Sequence, residues 1–100
     1  MLIDLQGLTA QAFSSELGQV FTAHTVPDPV QLTLHNVIEG REVGNGFRTP
    51  FTLIFTTPMN VLLLEAQYRL SSPGGRDYEL YLAPLAATVG GQRHYQALFN

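Results

Sequence analysis

The sequence contains no cysteine and no lysine. The first absence excludes a disulfide framework and a thiolate metal site. The second leaves five arginines as the only fixed cations: Arg41, Arg48, Arg69, Arg76 and Arg93. They are scattered, whereas a phosphate backbone is bound by clustered bases that release its counterions. With a net charge of −3, the chain is not expected to bind nucleic acid. Charged residues of all kinds make up 13%, about half the ~25% of an average domain. Thr, Gln, Ser, Asn and Gly must therefore cover the surface, and a weakly charged β surface is prone to associate. No apolar run is longer than Val61–Leu64, far too short to span a bilayer. The opening Met-Leu-Ile-Asp-Leu-Gln has neither the basic start nor the long apolar stretch of a signal peptide. The expectation is a soluble, cytoplasmically made protein with no membrane partner.

What is present is alternation. The 45% apolar content over 100 residues is enough for one domain with its own core. Val30, Leu32, Leu34 and Ile38 alternate with Gln31, Thr33, His35 and Glu39. Phe51, Leu53 and Phe55 repeat the pattern, then Tyr78, Leu80 and Leu82, then Tyr95, Ala97 and Phe99. A period of two places one set of side chains on one face of a strand. Strands are predicted at 19–24, 30–39, 47–57, 66–70, 76–83 and 92–99. Pro50 argues for an edge, a bulge or a start nearer Phe51. The run 61–64 reads as a seventh strand or as a crossing segment.

Before the strands, residues 8–17 read as a short helix with Thr9 as N-cap and Gly18 as its stop. Phe13 and Leu17 lie one turn apart and form its docking stripe. Pro27-Asp28-Pro29, Gly44-Asn45-Gly46, Ser71 to Gly75 and Gly90-Gly91 are turns. The predicted fold is mainly β: a short N-terminal helix followed by six or seven antiparallel strands in a small sandwich or open barrel. It spans residues 1–100 as a single domain.

Chemistry-bearing residues are few. His24, His35 and His94 fall on three strands, and their spacing does not form a metal motif; solvated or hydrogen-bonded rings are the simpler reading. Asp77 and Glu79 share an outward strand face opposite Tyr78 and Leu80. Paired carboxylates can divide acid and base roles in a pocket, but a solvated face is the expectation. Glu39, Arg41, Glu42 and Arg48 form a local charge cluster of little energetic weight. Gly44-Asn45-Gly46 lacks the lysine and helix of a phosphate loop. Ser14 and Ser15 lack a nucleophile elbow.

Spaced residues carry a family likeness. They are Phe13-x4-Gly18-x2-Phe21, Pro50-Phe51-x-Leu53-x-Phe55, Tyr68-x-Leu70, Leu80-Tyr81-Leu82-x-Pro84 and the terminal Tyr95-Gln96-Ala97-Leu98-Phe99-Asn100. In these the chain resembles an uncharacterised bacterial family of short β-rich proteins, a domain of unknown function ending in Tyr-x-Ala-x-Phe-Asn. It departs at Glu65-Ala66-Gln67, where Gln-Gly-Thr is expected. The resemblance implies an association with phage-tail-collar-like proteins and carries no catalytic residues.

The leading expectation is thus a non-enzymatic structural or assembly protein acting through protein contacts, either with tail-like components or with further copies of itself. It needs no cofactor and no metal. Edge-strand pairing is its expected mode. Arg93, Tyr95, Phe99 and Asn100 of the last strand are the candidate interaction residues. A second expectation is a small-ligand or glycan-binding barrel lined by Tyr68, Tyr81 and Tyr95. A third is a barrel enzyme using Asp77 or Glu79 with a histidine.

Overall fold

A computed structural model describes residues 2–41, 49–86 and 90–99. Six antiparallel strands follow one short helix: α1 (Ala10–Ser14), β1 (Val20–Ala23), β2 (Val30–Glu39), β3 (Phe51–Pro58), β4 (Ala66–Ser71), β5 (Asp77–Pro84) and β6 (Gln92–Phe99). They close into a barrel in the order β1-β2-β3-β6-β5-β4. Of the two architectures left open by the alternation, the barrel is the one adopted. Closure removes free edges from most strands, so edge pairing has little left to use.

The alternation sets the interior. Phe21, Leu32, Leu34, Phe51, Leu53, Phe55, Leu70, Tyr78, Leu80, Leu82, Tyr95, Ala97 and Phe99 all point inward and are buried. Tyr95 and Phe99 are thereby core residues, and they do not present a contact surface. The last strand runs along all of β3, from Phe51↔Phe99 to Pro58↔Gln92. It is the closing strand of the barrel, not an edge.

Two local departures have physical causes. The pairing of β2 with β3 jumps from Leu34↔Phe55 to Asn36↔Ile54, so His35 is an extra, bulged residue. One inserted residue inverts the alternation beyond it. Val37 consequently packs on the core, and Ile38, expected inside, is 48% exposed. β3 begins at Phe51 and not at residue 47. Pro50 has no N–H to give the ladder, although its carbonyl accepts from Gly40 N–H at 2.7 Å. The expected hairpin tip, with Glu42, Gly44, Asn45, Gly46 and Arg48, lies outside the described residues.

The two ends of the barrel are closed differently. At one end α1 inserts Phe13, fully buried, between Tyr78 at 5.1 Å, Phe99 at 5.5 Å and Phe51 at 5.9 Å between ring centroids. The helix is shorter than predicted, and Leu17 lies beyond it, 45% exposed. Its buried face is Ala10 and Phe13, and not the pair Phe13 and Leu17. Thr9 holds the N-cap position without a side-chain capping bond, and Gly18 turns the chain at φ 81°. At the other end residues 59–65 cross from β3 to β4 as an irregular cap, with Leu63 turned inward and buried. Val61–Leu64 is therefore a crossing segment and adds no strand.

Candidate functional site

The cap is held by side chains of the barrel wall. Leu63 N–H donates to the Tyr95 hydroxyl at 3.0 Å. Thr57 Oγ1 lies 3.2 Å from the Val61 carbonyl, and the Tyr95 hydroxyl lies 3.4 Å from both. Arg93 Nε donates to the Met59 carbonyl at 2.9 Å, and the Tyr68 hydroxyl donates to the Leu64 carbonyl at 2.6 Å. These bonds orient the backbone so that Leu63 faces in, and its neighbours Leu62 and Leu64 then face out. Leu62 is 57% exposed and Leu64 71%. Beside them the turn after β1 leaves Val26 at 92%. Leu62, Leu64, Val26, Pro27, Val30 and Tyr68 line one groove of about 560 Å³, with His24 and Asp28 also on its wall. Large apolar side chains displayed together at one end of the barrel make this groove the candidate contact site.

A second opening lies along the wall. The ladder between β5 and β6 consists of Ala83↔Gln96 and Pro84↔Tyr95, extended by Leu85 N–H to the His94 carbonyl at 2.9 Å. Below these, no ladder pair joins β5 to β6 among the described residues. A groove of about 300 Å³ runs over this seam, bordered by Glu65, Tyr81, Ala83, Gln96 and Leu98. Leu98 is 63% exposed. Tyr81 donates its hydroxyl to Glu65 Oε2, and that carboxylate pushes the phenol above its ordinary range.

The polar candidates separate into two groups. On the outer face of β1, β4 and β5, His24 Nε2 is 2.6 Å from Ser71 Oγ, and Ser71 donates to Asp77 Oδ1 at 2.5 Å. Arg69 donates to Asp77 Oδ2 at 2.8 Å. The topology thus joins a histidine to Asp77 through a serine, a relation invisible in their spacing. Its proton order is wrong for nucleophilic catalysis. An ionised carboxylate only accepts, so the Ser71 proton goes to Asp77, and His24 must donate to Ser71. The Ser71 bond and then the Arg69 bond hold Asp77 well below the usual carboxylate range, which makes it a poor base. Glu79 lies outward and exposed, as expected. This cluster staples β4 to β5 and anchors the end of β1.

On the opposite wall, His35 and His94 pack edge to face with ring centroids 5.5 Å apart. His94 Nδ1 is shielded from solvent and has no hydrogen-bond partner. Glu16 Oε1 and the Tyr78 hydroxyl are in the same condition. Burial pushes the Tyr78 phenol upward. Among the described residues no group of three or more His, Asp or Glu side chains converges on a point. No helix among them is long and apolar enough to cross a membrane.

Of the four residues expected to make contacts, Arg93 is half-buried and engaged with the cap. Tyr95 and Phe99 are interior, and Asn100 lies outside the described residues. Tyr68, Tyr81 and Tyr95 do not share one pocket: the first lines the end groove, the second the seam, the third the core. Val26, Leu62 and Leu64 were missed by sequence reasoning. For Leu62 and Leu64 the only signal was the run 61–64, whose orientation depends on the distant Tyr95, and Val26 gave none.

No curated protein and no solved structure showed significant similarity to the chain. A family model described as a domain of unknown function, DUF6916, matches residues 8–99. That span runs from the start of the plug helix to the end of the closing strand, so the chain belongs to the DUF6916 family.

Proposed function

We propose that this chain is a non-enzymatic structural or assembly protein that works through protein–protein contacts. The observation that carries the reading is the apolar end of the barrel, where Val26, Leu62 and Leu64 stand exposed around one groove. The backbone of the cap that carries Leu62 and Leu64 is pinned by Tyr95, Arg93 and Tyr68, so a partner meets a largely preformed surface and little ordering entropy is lost on contact. The low charge of the chain supports the same reading, because the core of a protein interface is depleted of charged residues. The polar cluster around Asp77 supports it from the other side, since its carboxylate is stabilised in the charged form and is not poised for proton transfer.

The finer reading is an accessory of a phage-tail-like system, made in the cytoplasm and incorporated into the particle. Its support is the resemblance of the spaced aromatic and glycine positions. Solution mass by light scattering tests for self-assembly, with the wild type measured beside L62E/L64E over a wide concentration range. Both leucines are exposed, so the variant keeps the fold. A discrete dimer or ring that the variant loses is expected if copies meet through this end. Identical monomers would remove self-assembly and leave contact with other chains as the reading to test.

A further inference from the structure

We propose that His35 and His94 form a two-histidine binding site for a late divalent transition-metal ion of the zinc, nickel and copper class, on the outer face of the barrel.

The two residues are 59 positions apart in sequence, and the fold makes them neighbours. β3 runs between their strands, pairing with β2 on one side and β6 on the other. The bulge at His35 releases that residue from the ladder and leaves its ring exposed. His94 sits opposite Thr56 on β6. Their ring centroids are 5.5 Å apart. A tetrahedral ion about 2.1 Å from one nitrogen of each ring would hold the centroids about 5.3 Å apart. The separation needed to share one ion is thus already built, and turning the rings about a broad torsion supplies the rest.

A second observation points to a missing ligand. His94 Nδ1 is shielded from solvent and without a hydrogen-bond partner. A buried imidazole nitrogen normally finds a partner, and a bound cation would supply one. Neutral imidazole suits zinc, nickel and copper and does not suit magnesium or calcium. Two protein ligands leave the other positions to water. His24 is different, since its Nε2 is already engaged with Ser71. The chain has three histidines and no cysteine, so His24 is an internal control.

The test uses the tag-free full chain. Zn²⁺ is titrated while the imidazole ring protons are followed by NMR, and Ni²⁺ is then used as a paramagnetic probe. One equivalent of Zn²⁺ is expected to shift the His35 and His94 signals and leave His24 in place, and Ni²⁺ to broaden the same two. Removing one of two ligands costs more than losing an outer-shell partner, so H35A and H94Q should each weaken binding by at least about tenfold. H24A should bind as the wild type does. H35A removes an exposed side chain, so it tests the site even if H94Q fails to fold. Ring signals that do not move with excess Zn²⁺, binding unaffected by H35A, or equal loss in H24A would each overturn the assignment.

Discussion

Replacing Phe13 by alanine opens the barrel end where α1 docks. Phe13 is fully buried and touches Tyr78, Phe99 and Phe51. Those three rings belong to β5, β6 and β3, so one side chain ties β5 to the paired β3 and β6 at an end where no ladder pair joins β5 to β6 among the described residues. A five-residue helix has almost no intrinsic stability, and without its plug only the small side chains of Ala10 and Ala12 remain packed on the core. Burial of a phenylalanine in such a site contributes about 3–5 kcal/mol, including the cavity left behind. A domain of this size is stable by about 5–15 kcal/mol. A loss near 4 kcal/mol would lower the melting temperature by roughly 20 °C and the urea midpoint by about 2 M. L17A is the matched control one turn on, and its exposed side chain should cost no more than about 0.5 kcal/mol. Circular dichroism melts and urea titrations of both variants measure the difference. A loss in F13A below about 1.5 kcal/mol, or one equal to that of L17A, would refute the view that Phe13 seals the barrel.

Two tyrosines of similar burial should respond oppositely to loss of the hydroxyl. Tyr78 has a buried hydroxyl without a partner, so Y78F should be neutral or stabilising by up to about 1 kcal/mol, whereas Y95F strands the Leu63 N–H and should cost about 1–3 kcal/mol in chemical denaturation. Equal effects would contradict these hydrogen-bond assignments. Asp77 has its pKa lowered in the folded state by Ser71 and Arg69, relative to about 3.9 in the unfolded chain. Its contribution is therefore present above that value and lost as pH falls through the folded one. The stability gap between wild type and D77N should be widest near neutrality and shrink in acid; a gap that does not change with pH would contradict the linkage. Truncation after His94 removes Tyr95, Ala97 and Phe99 from the core and most of the ladder to β3, and the remaining chain should show no cooperative melt.

Much of the fold was legible because a half-buried strand writes its orientation into its sequence. The inward sets Tyr78-Leu80-Leu82 and Tyr95-Ala97-Phe99 could be read directly, as could the turn closed by Gly75 at φ 84°. What stayed hidden depends on pairing between distant segments. The bulge at His35 turns Ile38 outward, and it arises from the register against Phe55 and Ile54, which no local pattern contains. Barrel closure rests on two residue pairs between β5 and β6 and two between β1 and β4. The candidate surface was hidden for the same reason. Leu62, Leu63 and Leu64 are one apolar run in the sequence, and a bond from Tyr95, 32 residues away, decides which of them faces in. Tyr95 and Phe99 looked like contact residues because the last strand was expected at an edge or a closure, and the interior of a closed barrel claims both.

The most direct test of the apolar end as a contact surface is site-specific photo-cross-linking in the cell that encodes the protein. A photoreactive residue is placed at Leu62, with Gln67 on the polar outer wall as the control position. The predicted result is one defined adduct from position 62, with a second copy or with a structural component of an assembly, and none from position 67. No adduct at 62, or the same mixture of adducts from both positions, would contradict it.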